Sequence, residues 1–220
     1  MDLRPLPVTH RPALRLPQLV VGLALYGTSM AMQVRGALGL NPWDVLHQGL
    51  ESRLPLSFGV VTAITGVAVL LLWIPLRQRP GIGTVANVVV IAVSVDAALA
   101  LIPEAHTWPA RVALLAGGIV LNGLATALYV GARLGPGPRD GLMTGLAART
   151  GASIRVVRTG IEVVVLATGW LLGGTVGIGT VLYALAIGPL TQLFLPWLTV
   201  RTPGGDDLAV PAPPTTRSTR

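Results

Sequence analysis

Six apolar stretches, at 16–34, 58–76, 81–102, 111–134, 154–172 and 177–198, constrain this chain more than anything else in it. A hydrocarbon core of about 30 Å is crossed by about 20 helical residues. In lipid, only helices or closed barrels satisfy every backbone group. These stretches are continuous rather than alternating, so helices are expected and barrel strands are not. Composition agrees: 52% of the residues are apolar, 11% are charged and the mean hydropathy is +0.69. A soluble domain carries about a quarter charged residues. A soluble enzyme is therefore excluded. The absence of cysteine excludes a disulfide scaffold and a zinc ribbon. The first stretch is too long for a cleaved leader and has no small-residue cleavage site after it.

All 16 basic residues are arginine, against 9 acids. They sit in short loops and tails rather than on one face, so the charge reads as topology and not as a nucleic-acid surface. With six spans, one side holds Arg4, Arg11, Arg15, Arg77, Arg79, Arg133, Arg139, Arg149, Arg155, Arg158, Arg201, Arg217 and Arg220. The other side holds only Arg35, Arg53 and Arg111. Both termini are expected in the cytoplasm. Residues 1–15 read as a basic tail and 199–220, rich in proline and threonine, as a disordered one.

The chain also repeats itself. At an offset of 96 residues, 22–102 aligns with 118–198 without a gap, and 27 of 81 positions are identical. GLNPWD at 39–44 lies over GPGPRD at 135–140, and GIGTV at 81–85 lies over an identical GIGTV at 177–181. Unrelated apolar chains would match at roughly a tenth of positions, so duplication is the reading. The units are 16–102 and 111–198, joined by 103–110. Each holds a long span, a short polar segment (42–54 or 138–150) and two further spans. A 13-residue helix is about 20 Å long, too short to cross, so each short segment is expected to be interfacial or re-entrant. Three crossings per unit turn the second unit upside down. The fold expected is all-α and polytopic: six transmembrane helices as two inverted three-helix repeats.

The strings GLNPWDVLHQGL (39–50), PGIGT (80–84) and GPRDGLMTGL (137–146) resemble the YczE/YitT-like family of bacterial integral membrane proteins, and within it the YczE branch, since no soluble C-terminal domain follows. The resemblance implies a multi-pass protein of the bacterial plasma membrane. It brings no catalytic residues and no activity with it.

Polar groups inside spans are costly and are candidate sites. Asp96 is either a titratable or cation-pairing site in the third span, or an acid near the interface. Glu162 lies four residues after Arg158, a spacing that pairs them, as a buried switch or as plain neutralisation. Asp44 and Asp140 follow Pro42 and Pro138; each suits the first turn of a helix, or a gate. Arg139 beside Asp140 offers an anion clamp, although Trp43 replaces it in the first unit. Gly81, Gly83 and Thr84, with Gly177, Gly179 and Thr180, open helices and serve either close packing or broken-helix ligand sites. Asn87 and Asn122 bridge helices or line a pathway. Trp108, Trp170 and Trp197 suit interfacial anchors.

His10, His47 and His106 are scattered, no metal-ligand spacing occurs, and no Gly-x-Ser-x-Gly setting exists. No enzyme activity and no cofactor are expected. The expected partners are the lipid bilayer, an unidentified small solute, and a second copy or another membrane protein; nucleic acid is not among them. Transport of the solute is the function read here. The alternative is a membrane scaffold or regulator docking through Arg133, Arg139 and Arg149.

Overall fold

The computed structural model describes residues 5–200. Tail arginines 4, 201, 217 and 220, and most of the expected C-terminal tail, lie outside them. Among the described residues there are eight helices and no strand: α1 (Pro12–Gly36), α2 (Pro42–Glu51), α3 (Phe58–Leu76), α4 (Ile82–Leu101), α5 (Trp108–Gly131), α6 (Pro138–Thr150), α7 (Ile154–Leu171) and α8 (Ile178–Leu198). Four of them, α3, α4, α5 and α8, are long and apolar enough to cross a membrane. α1 has 25 residues and α7 has 18, one fewer than the shortest of these four. α7 carries Arg155, Arg158 and Glu162, and α1 carries Arg15 and Arg35. The short segments are helices of 10 and 13 residues.

Every helix start in the first unit recurs 96 residues later: Pro12 and Trp108, Pro42 and Pro138, Phe58 and Ile154, Ile82 and Ile178. The turns repeat too. The chain leaves α1 through Ala37 at φ 51° and Gly39 at φ 117°. It leaves α5 through Arg133 at φ 55° and Gly135 at φ 130°. A φ above 100° suits glycine alone, which explains the glycine at both places.

Boundaries depart from the sequence expectation at both long helices. α1 begins at Pro12 rather than 16, and α5 at Trp108 rather than 111, because proline or a neighbour of proline suits the first helical turn. Arg15 is therefore not a tail residue. It is fully buried, and its guanidinium donates to the carbonyls of Ala132 (2.8 Å), Arg133 (2.9 Å), Pro7 (2.7 Å), His10 (2.8 Å) and Leu6 (3.2 Å). Five carbonyls compensate the desolvation of one charge, and they tie the N-terminal segment to the end of α5.

α1 is the central helix, packed along α5 and α4, while α8 packs on α5. Small residues let these backbones approach. A Cβ on Gly22 would meet Tyr129 N at 2.8 Å, and one on Gly27 would meet Ile91 O at 2.8 Å. The core between α1, α4 and α5 holds Leu19, Leu23, Met30, Ile91, Val95 and Tyr129. The short helices cross over between units: α2 packs mainly on α7, and α6 on α3.

The two GIGT strings make the same crossing. Gly83 N–H donates to Leu134 O at 3.0 Å, and Gly179 N–H donates to Leu38 O at 2.8 Å. Gly81 N–H and Gly177 N–H donate to Thr84 Oγ1 and Thr180 Oγ1 at the foot of each helix. A Cβ on Gly81 would lie 2.7 Å from Leu134 O, and one on Gly177 would collide with Leu38 O. Each motif is thus the seat on which the other unit's turn rests. This is the close-packing use of those six residues.

Candidate functional site

A central cavity of about 920 Å³ is lined by residues from all eight helices, and both short helices begin at it with Pro42 and Pro138. Its lining runs from His47 and Thr62 to Gln78 and Arg79, beyond the end of α3. Among the expected site residues, Pro42, Asn87, Pro138, Arg139, Asp140, Arg158 and Glu162 line it.

The site is built on the first turn of α2. Asn41 caps this helix: its Oδ1 accepts from Trp43 N and Asp44 N, both at 3.1 Å, and its Nδ2 donates to Asp44 Oδ2 at 2.5 Å. Asp44 is wholly buried and its Oδ1 has no well-aligned hydrogen bond. Around that oxygen stand His47 Nδ1 at 3.4 Å and Arg139 Nη2 at 3.8 Å. His47 Nδ1 also lies 3.2 Å from Thr62 Oγ1, whose proton goes to Phe58 O. That arrangement calls for a proton on Nδ1. Burial pushes the His47 pKa below its ordinary value, against the opposing pull of Asp44.

The other unit supplies the facing side. The Arg139 guanidinium lies 4.8 Å over the Trp43 ring, although the two residues occupy equivalent places in the repeat. Asp140 accepts from Tyr129 Oη at 3.3 Å. Pro138 O accepts from Trp73 Nε1 at 3.0 Å, which fixes the start of α6. Arg158 and Glu162 pair at 3.0 Å on α7. Asn122 is buried behind the cavity, donating to Ser29 Oγ at 2.7 Å and accepting from Tyr183 Oη at 2.9 Å.

Asp96 lies apart from this cavity, in a smaller cleft with Arg35, Glu51 and Ser57. Its Oδ1 accepts from Gly59 N at 2.7 Å and its Oδ2 from Ser57 Oγ at 2.5 Å. It caps α3 from α4, binding the two helices together. Trp43, Tyr26, Tyr129, Tyr183, His47 and Thr62 were not expected at the site. The three tyrosines, inside apolar spans, look like core in a sequence, and Trp43 and His47 showed only their closeness to the Pro-x-Asp string.

The model of a family of unknown function, DUF6198, matches residues 13–196. The chain belongs to the DUF6198 family. This DUF6198 chain is 40% identical over 177 residues to a Haemophilus influenzae protein named only as uncharacterized, covering 80% of this chain and 81% of that one. It is 33% identical over 177 residues to the uncharacterized membrane protein YczE of Bacillus subtilis, covering 80% and 82%. Bacillus subtilis YyaS, also printed as uncharacterized, is 23% identical over 180 residues. The expected YczE-like kinship holds. No solved structure matches. With four bilayer-length apolar helices, this DUF6198 chain is an integral membrane protein.

Proposed function

We propose that the chain is a secondary transporter of a small solute, built of two inverted three-span units, with the central cavity as its substrate site. In this reading α1 and α7 also cross the bilayer. At 1.5 Å per residue they are about 38 and 27 Å long. The Arg158–Glu162 pair lowers the cost of the charges on α7.

One observation carries the reading. α3 packs along α4, but α7 does not pack along α8, its counterpart in the repeat. The cavity runs into the space so left, with Arg158 and Glu162 on one wall and Tyr183, Ile187, Gly188 and Gln192 on the other. One unit is closed and the other open. In an inverted pair, exchanging those conformations opens the cavity to the opposite side of the membrane, which is alternating access. Asp96 is the latch of the closed unit, because it holds Ser57 and Gly59 at the head of α3. Its counterpart Gln192 faces the cavity instead.

The scaffold reading draws less support. Arg133 is buried, Arg139 lies over Trp43, and Arg149 donates to Pro75 O. Of the three, Arg149 alone is exposed.

The test is flux in proteoliposomes, read as current on a supported membrane across a panel of small organic cations, anions and neutral solutes. Gly188 lines the cavity, and a Cβ there would have nothing within 4 Å. Gly188→Trp should therefore obstruct the cavity between α7 and α8 without disturbing the fold. The expected result is a current with at least one solute that Gly188→Trp abolishes. No current across the panel overturns transport, and a current indifferent to the plug overturns the cavity as the substrate site.

A further inference from the structure

A buried carboxylate normally sits against a cation or against enough donors to complete its hydrogen bonds. Asp44 is fully buried, and Oδ1 has no well-aligned hydrogen bond, the nearest donor being His47 Nδ1 at 3.4 Å. The nearest cation is Arg139, at 3.8 Å, beyond hydrogen-bond distance. The same guanidinium covers the Trp43 ring at 4.8 Å, within cation–π range. Arg139 belongs to the other unit, lines the cavity, and keeps 25% of its side chain exposed. A cation is thus held loosely, at the edge of a large cavity, against an aromatic face and an incompletely bonded carboxylate oxygen.

We propose that the cavity takes a small organic cation of guanidinium or ammonium type, which displaces the Arg139 guanidinium from Trp43 and Asp44. Arg139 is then a tethered stand-in that keeps Asp44 paired while the site is empty. The proposal rests on the transport reading for the ligand's movement, but not for its binding. Beside Asp44 and the Trp43 face, a cation is favoured over an anion. An anion drawn to Arg139 would come up against Asp44 and Asp140 and would leave Asp44 buried without a counter-charge. A displacing cation keeps both Asp44 and Trp43 engaged, and it frees Arg139 to turn toward Asp140 beside it. Of the other three lining arginines, Arg158 is paired with Glu162 at 3.0 Å, Arg133 is buried, and Arg79 stands beyond the end of α3.

The test is calorimetric titration of the full chain in lipid nanodiscs, with methylguanidinium chloride as the cationic probe and sodium acetate as the anionic one. Wild-type protein should bind methylguanidinium, and Asp44→Asn should abolish that binding. Arg139→Ala, which empties the position, should bind it at least tenfold more tightly than wild type. The double variant Arg139→Ala with Asp44→Asn should lose the gain. Arg139→Ala should also melt at a lower temperature and be rescued by the probe, whereas the double variant should be indifferent to it. Should Arg139→Ala fail to fold, the comparison of wild type with Asp44→Asn decides alone. Absence of methylguanidinium binding to wild type, binding that survives Asp44→Asn, or acetate binding that depends on Arg139 overturns the proposal. Binding without flux removes transport and leaves the site standing; flux of other solutes without binding does the reverse.

Discussion

Gly141 and Gly160 occupy helices of the same unit, but a methyl group meets different surroundings at each. At Gly141 it would run into the Trp73 indole, and at Gly160 it finds nothing within 4 Å. Trp73 cannot easily retreat, because its Nε1 is bonded to Pro138 O and its ring is buried beside Trp43 and Val69. Gly141→Ala should cost about 1–3 kcal/mol, the usual penalty of overpacking. Gly160→Ala should be neutral or gain up to about 1 kcal/mol from helix propensity. Thermal unfolding in detergent distinguishes them, and equal melting temperatures would contradict the packing described. Asn41→Ala removes a cap that accepts two backbone N–H groups, and should cost about 1 kcal/mol by the same measurement.

Among the elements, α3 and α4 on one side and α7 and α8 on the other share a sequence plan and differ in packing. The difference has a local cause. Gly59 lets α3 approach Ala92 and Asp96 of α4, and Asp96 completes the contact with two hydrogen bonds. The corresponding residues are Arg155 and Gln192, a bulky cation and a neutral amide. Asp96→Asn weakens a charged cap. It should lower stability by about 1 kcal/mol and let α3 part from α4. In the cysteine-free background, a reporter Thr65→Cys on the cavity wall should then react faster with a maleimide than it does with Asp96 intact. An unchanged labelling rate would remove Asp96 from the gate.

At the scale of the whole molecule, inversion is the consequential claim. Leu56, between α2 and α3, and Ala152, between α6 and α7, are equivalent positions, 96 residues apart and both exposed. Inverted units put them on opposite faces of the membrane, and parallel units put them on the same face. Single cysteines at each, probed in cells with a membrane-impermeant maleimide, should label Leu56→Cys directly and Ala152→Cys only after permeabilisation. Labelling of both from one side would dismantle alternating access while leaving the cavity as a binding site.

Apolar length and the 96-residue offset belong to the sequence, because lipid forces helices on any apolar stretch long enough to cross it and duplication keeps residues in register. Helix number, the start of each helix within a few residues and the kinship of the two units were therefore legible. Contacts between units were not, since nothing in a linear pattern says which turn rests on which glycine. The GIGT strings needed their partner carbonyls, Leu134 and Leu38, before packing could be told from a ligand site. Asp96 needed Ser57 and Gly59 to become a cap. The pairing of Trp43 with Arg139 was furthest from view, because equivalent residues of a repeat meet only when tertiary folding brings the two copies face to face.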